Sequence, residues 1–241
     1  MRITFLGTSG GLLVKGRSCP GILIDNTLLD CGFGVLKNLR DLDIPLNTIK
    51  RIAISHAHAD HCSDFAGILW AMALEARKTP LQIIASPSTT TRLKTVLDAY
   101  GTNEWLMTRF PIEWRTPEQV GLKYCRGIHV PEDYAYKLVD GSKSVVYTGD
   151  TAMSSSIAEL AKNATLLIHE STFRDKDFKL AKAANHVTAS QAAVVAKTAG
   201  VKRLVLTHFS MIPSDIPKAL AEAKRVFPNT IAAKDGMIIT V

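Results

Sequence analysis

Four side chains able to ligate a metal ion fall within six residues, His56-Ala57-His58-Ala59-Asp60-His61. The chemistry open to such a group is that of a Lewis acid, because imidazole nitrogens with a few carboxylates suit zinc and are tolerated by manganese or iron. Each polar group buried without a partner costs roughly 2–7 kcal/mol, so shared cations are the simplest account of the density. His56 and His58, at alternate positions after a strand end, can project to one side and share one ion. Asp60 and His61, further round the turn, can serve a second. The run is internal and patterned, unlike a purification tag. Cys19, Cys31, Cys62 and Cys125 show no C-x-x-C pairing that would build a zinc finger.

The elements that must position this cluster are legible as short β-branched runs. Arg51–Ser55 leads directly into His56, and similar strands are expected at 3–6, 21–24, 81–85, 144–147, 165–168, 203–206 and 237–241. Between them lie helical stretches at 64–78, 88–100, 156–162, 188–199 and 215–227. Thr188 with Gln191 and Ser156 with Glu159 each match the capping box that satisfies the free N–H groups of a helix start. The segment holding Pro111, Pro117 and Pro131 is the least periodic and reads as strands and loops. The class is therefore α/β. Further candidate ligands close strands or follow them: His129 after Gly127-Ile128, Asp150 after Val145–Gly149, and His208 after Leu204–Thr207. Strand ends hold a reactive group in place while leaving it open to substrate.

With 241 residues, 46% hydrophobic and 21% charged, the chain is expected to form a single soluble domain over 1–241. No stretch approaches the roughly 20 apolar residues of a membrane span, and four unpatterned cysteines suit a reducing compartment; the expected location is the cytoplasm. A formal charge of +7 favours anionic partners, including nucleic acid. The basic residues are dispersed, with only local groupings such as 137–143 and 176–182.

The signature H-x-H-x-D-H formed by His56, His58, Asp60 and His61 resembles that of the metallo-β-lactamase superfamily. Gly7-Thr8-Ser9-Gly10-Gly11, Asp30-Cys31-Gly32, Tyr147-Thr148-Gly149-Asp150-Thr151 and Leu206-Thr207-His208 follow in the family's order. The resemblance implies a four-layer αββα sandwich with a dinuclear centre at one edge of its sheets. It assigns His56, His58 and His129 to one metal and Asp60, His61 and His208 to the other, with Asp150 bridging. Two divalent ions are implied, zinc first, with manganese or iron as alternatives. Within the superfamily, Leu166-Leu167-Ile168-His169-Glu170-Ser171-Thr172-Phe173 and the run from His186 to Ala193 resemble the ribonuclease Z branch of phosphodiesterases. There the residues matching Glu170 and His186 form a proton-donating pair, which leaves His169 a structural role. The implied reaction is phosphodiester hydrolysis by a metal-bridging hydroxide, with Asp60 helping to orient it and His186 with Glu170 protonating the leaving oxygen. The helix beginning near Thr188 is expected to add N–H groups and dipole to the same end.

Two features depart from that branch. Only 20 residues separate His129 from Asp150, too few for the flexible arm that holds transfer RNA. His208 is followed by Phe209-Ser210-Met211 where an Arg-Tyr is usual, although Arg17 matches an arginine near the first glycine-rich loop. The substrate is therefore either the 3′ end of precursor transfer RNA or a small cyclic or nucleotide-like diester. Thioester, lactone or β-lactam hydrolysis and a noncatalytic metal-binding role are the rival classes. A homodimer is implied by the same resemblance.

Overall fold

Side chains alternate across the strands and divide between cores. In β9 (Lys143–Tyr147) Val145 and Tyr147 enter one core and Val146 another; in β10 (Leu166–Glu170) Leu166 and Ile168 join the first and Leu167 the second. The computed structural model, which describes residues 1–241, resolves these faces into four layers. One seven-stranded sheet runs, in spatial order, β13 (Ile238–Thr240), β1 (Arg2–Gly7), β2 (Gly21–Ile24), β3 (Thr27–Leu29), β4 (Arg51–Ala53), β5 (Leu81–Ile84) and β6 (Ile112–Arg115). The other runs β12 (Thr230–Ala232), β11 (Leu204–Thr207), β10, β9, β8 (Tyr134–Asp140) and β7 (Lys123–Arg126).

Ile3, Phe5, Ile22, Tyr136, Tyr147, Ile168 and Val205 fill the space between the sheets. Helices α1 (Val35–Asp41), α3 (Phe65–Leu74), α4 (Pro87–Ala99) and α5 (Asn103–Met107) cover the first sheet. Helices α6 (Ser155–Leu160), α8 (Ala189–Ala199) and α9 (Ile216–Val226) cover the second. Two short helices, α2 (Ala59–Cys62) and α7 (Phe178–Ala183), stand at the strand ends. The result is the expected αββα sandwich. No helix is long and apolar enough to cross a membrane.

Parallel pairing matters most for the site. β3 and β4 are parallel, as are β9, β10 and β11, so within each sheet these strands deliver their C-terminal residues to the same edge. The β8–β9 hairpin keeps register from Tyr136↔Tyr147 to Asp140↔Lys143 and closes through Gly141-Ser142, with Gly141 at φ 55°. The interval between His129 and Asp150 is thus spent on a hairpin with a tight turn.

Some local expectations are corrected. The helix expected over 64–78 ends at Leu74, because the chain turns back through Ala76 at φ 56° and buries Arg77, whose Nε and Nη2 donate to Thr79 O and Pro80 O. The Thr188–Gln191 capping box forms. The Ser156–Glu159 box does not: α6 starts one residue earlier, with Ser154 at its N-cap and no side-chain cap, and Glu159 pairs with Lys162 at 3.5 Å.

Candidate metal centre

The site grows from those strand ends. β3 ends in Asp30, β4 runs through Ser55 into His56, β9 into Asp150, β10 into Glu170 and β11 into His208. Two glycines let the backbone turn tightly there. Gly149, at φ 58°, would place a Cβ 2.2 Å from Asp133 Oδ1, and a Cβ on Gly32 would fall 1.7 Å from Asp60 O. His208 itself has φ 60°, a region non-glycine residues rarely occupy and one that collects at functional sites.

Two donor sets converge, each with its ligand atoms within 4.8 Å of one another: His56, His58, His129 and Asp150, and Asp60, His61, Asp150 and His208. Asp150 belongs to both. Within each set nitrogen faces nitrogen, with His56 Nε2 2.9 Å from His58 Nδ1, His129 Nε2 3.3 Å from His58 Nδ1, and His61 Nε2 3.1 Å from His208 Nε2. Neutral imidazoles so arranged oppose lone pairs, which a cation between them relieves. Asp150 Oδ1 is buried and accepts no hydrogen bond, although His208 Nε2 lies 3.2 Å away. The donor chemistry and this unpartnered oxygen fit a pair of divalent cations.

Outward-facing ring atoms are held by the protein. His61 Nδ1 meets Asp30 Oδ2 at 2.8 Å, and His56 Nδ1 meets Asp133 Oδ1 and Ser55 Oγ, both at 3.1 Å. His208 Nδ1 meets Thr172 Oγ1 at 2.9 Å, and His129 Nδ1 meets the Asn185 carbonyl at 3.3 Å. These partners fix which nitrogen points inward. Asp30, Asp133 and Thr172 were not singled out as site residues from the sequence. Asp30 and Thr172 lie within motifs that were noticed; Asp133 sits in the Pro-rich stretch after His129, where nothing in the local pattern marks it.

Beside the second set, His186 Nδ1 lies 2.8 Å from Glu170 Oε1. The fully buried Glu170 also accepts from Thr151 N, Thr172 N and Oγ1, and Val187 N, so its oxygens are occupied and it is a poor candidate for a metal. His169 is buried on the other face of the strand, with Nδ1 2.9 Å from the Glu170 carbonyl. One expectation fails here. The first N–H groups of α8 are used internally, Ala189 N by Phe173 O, Ser190 N by Asp175 Oδ1 and Gln191 N by Thr188 Oγ1, so the helix start offers none of them to a substrate. Arg17 is also structural: its guanidinium donates to Thr8 Oγ1 and Ala233 O and covers the Phe209 ring.

The charges of these groups shift one another. Burial, helped by the charge of His61, holds His56 well below the usual imidazole range. At His61 burial acts the same way, but Asp150 and Asp30 outweigh it and raise the group. Burial would raise Asp150 and Asp60, yet the neighbouring histidines hold both carboxyls low. Burial, then the charges of Asp150 and Asp30, push Asp133 well up. Burial likewise opposes ionisation of Glu170 and His186, and their mutual contact overrides it, lowering Glu170 and raising His186 to about 9.

Known proteins resemble this chain over nearly its whole length. The β-lactamase superfamily domain matches residues 25–209. A ribonuclease Z of Picosynechococcus sp. is 31% identical, the match covering 98% of this chain and 95% of that one. Among solved structures, the metallo-β-lactamase fold protein YhfI from Bacillus subtilis is 27% identical with a TM-score of 0.86, covering 99% of this chain and 98% of its own. The short form of human tRNase Z, at 24% identity and a TM-score of 0.81 over 100% and 99% of the two chains, shares the fold. Matched end to end in both sequence and fold, the chain belongs to the metallo-β-lactamase superfamily and, within it, to the ribonuclease Z-like hydrolases.

Proposed function

We propose that the chain is a dinuclear metal-dependent phosphodiesterase that cuts 3′ extensions from precursor transfer RNA, as the name of its ribonuclease Z relative suggests. The observation that carries this reading is the sharing of Asp150 by two complete donor sets, with the Glu170–His186 pair beside them. On this reading His56, His58, His129 and Asp150 hold one ion, and Asp60, His61, Asp150 and His208 the other. Zinc is the first choice for a set of five imidazoles, ahead of manganese or iron. Bound there, the ions supply the Lewis acidity that polarises a phosphoryl oxygen and makes water nucleophilic near neutral pH.

The protein's own part is positioning and proton transfer. Asp60, 3.6 Å from His61 Nε2 and 3.4 Å from His208 Nε2, lies where its second oxygen can orient the attacking water. Glu170 holds His186 protonated with its Nδ1 engaged, which leaves Nε2 to donate to the departing 3′ oxygen. The structural dependence of 1–241 on one paired-sheet core supports a single domain, and free Cys19, Cys31, Cys62 and Cys125 suit the cytoplasm. A homodimer is part of the same proposal, by analogy with ribonuclease Z.

A second reading has its own support. The alignment with the cyanobacterial ribonuclease Z runs over 300 positions against 241 residues here, and the β8–β9 turn leaves no arm. A small cyclic or nucleotide-like phosphodiester would need none. The deciding experiment incubates metal-loaded protein with a 3′-extended precursor transfer RNA and maps the product ends, with Asp60→Ala as the control for contaminating nuclease. Metal-dependent cleavage at the base of the acceptor stem, absent in the variant, supports the RNA reading. An inert RNA beside turnover of a small diester transfers the assignment to the second.

A further inference from the structure

We propose that residues 174–185, the excursion between β10 and α8, grip single-stranded RNA next to the scissile phosphate; the proposal rests on the RNA-cleaving reading above. The inner side of this excursion is firmly attached. Arg174 donates to Asp215 Oδ1 at 3.3 Å and Glu222 Oε1 at 2.6 Å, Asp175 accepts from Ser190 N and Oγ, and Ala181 is buried. Its C-terminal end abuts the metal centre through the Asn185 carbonyl at His129 Nδ1 and through His186.

The outer side has no such structural use. Lys176, Lys179 and Lys182 recur every third residue, a spacing that keeps side chains adjacent along a helical surface. Lys179 and Lys182 are exposed and form no salt bridge, while Lys176 lies 3.7 Å from Asp215, a carboxylate already shared with Arg174 and Lys218. Asp175 is engaged by Ser190, and the charge of Asp177 acts on Arg174. Phe178 and Leu180 stand 48% and 60% exposed among these lysines.

Ammonium groups interleaved with an exposed ring match the needs of a nucleic-acid single strand, phosphates on the lysines and a base on Phe178. Six residues of helix span about 9 Å, enough for Lys179 and Lys182 to meet neighbouring phosphates of one strand. The wider charge agrees: residues 155–241 carry twelve Lys and Arg against seven Asp and Glu, whereas residues 1–154 are nearly balanced at seventeen against fifteen. With the β8–β9 hairpin closed by two residues, this stripe is a grip that the compact chain retains at the site itself.

The test compares metal-loaded parent, Lys179→Ala/Lys182→Ala, Lys179→Arg/Lys182→Arg and Phe178→Ala on 3′-extended precursor transfer RNA, from about 50 to 200 mM salt. Unchanged melting temperature and metal content control for folding. The double alanine variant is expected to raise KM about tenfold at low salt with kcat nearly constant, and to flatten the salt slope by about 1.4. The arginine pair should restore KM, and Phe178→Ala should raise it about fivefold or more. A parent-like KM and slope in the double alanine variant would overturn the proposal, as would a fall in kcat alone, which would make the excursion a mere support for His186. If the parent cuts no RNA, the RNA reading itself falls and this proposal with it.

Discussion

At the residue scale the centre is defined by which nitrogen each histidine turns inward. Four of the five rings present Nε2 and His58 presents Nδ1, an arrangement held by Asp30, Asp133, Ser55, Thr172 and the Asn185 carbonyl. Replacing Asp30 by Asn is expected to weaken metal affinity about 10–100-fold, read by competition with a chromogenic chelator. The Glu170–His186 contact makes a separable prediction. His186→Ala should lower kcat on RNA by about 10²–10⁴ and do much less on a diester whose leaving group needs no proton, such as a nitrophenolate.

The same contact sets a pH dependence. The Glu170 carboxylate raises His186 to about 9, above its ordinary 6.5, so the pair's contribution to stability is fully present below about 6.5 and is lost as pH rises through about 9. Glu170→Gln removes the cause of the shift. The melting-temperature gap between parent and variant in chelator-treated protein should therefore narrow over that window. In the metal-loaded enzyme the alkaline limb of kcat should move to lower pH, because the acid form of His186 is depleted earlier; a limb that stays put would sink the assignment of His186 as proton donor.

At the element scale, parallel strands and two helix starts place the chemistry. Thr188 caps α8 through Gln191 N, and the same helix carries the far side of the His186 loop. Thr188→Ala is expected to cost about 1 kcal/mol of stability. Ser154→Ala at α6, where the side chain makes no cap, should cost almost nothing. Urea denaturation of the two variants separates an N-cap whose side chain bonds the helix from one whose side chain does not. Gly149→Ala combines a left-handed backbone with a Cβ 2.2 Å from Asp133 Oδ1, so it should cost upward of about 1–3 kcal/mol and displace Asp150 with it. Metal content per chain is the readout.

On the scale of the whole molecule, the sheets and the centre stabilise one another. The strands that end in Asp30, His56, Asp150, Glu170 and His208 also supply Leu29, Ala53, Tyr147, Ile168 and Val205 to the core between the sheets. Cations that bind only the folded chain add about 2.7 kcal/mol when present at a hundredfold their dissociation constant. Chelation should therefore lower the melting temperature by several degrees, and restoring the metal should recover it. Ile168→Ala, in the middle of the inter-sheet core, is expected to destabilise by about 2–5 kcal/mol and to weaken metal binding in parallel.

The sequence by itself determined the class, the strands that lead into His56, Asp150, Glu170 and His208 and the identity of the candidate donors, because hydrophobic alternation and a dense His/Asp run are local patterns. It also determined that a full arm has no room, since only 20 residues separate His129 from Asp150; the structure spends them on the β8–β9 hairpin. Short elements such as α1, α2, α5, α7 and β3 were not legible, because a helix of under two turns or a strand of three residues carries too little periodicity and forms only when packed. Tertiary structure alone decided that Asp30 and Asp133 stand behind His61 and His56, that Glu170 is saturated by N–H and O–H donors, and that the start of α8 is used internally. The deciding pairings join residues 15 to 77 apart, set by strand order and burial rather than by any spacing along the chain.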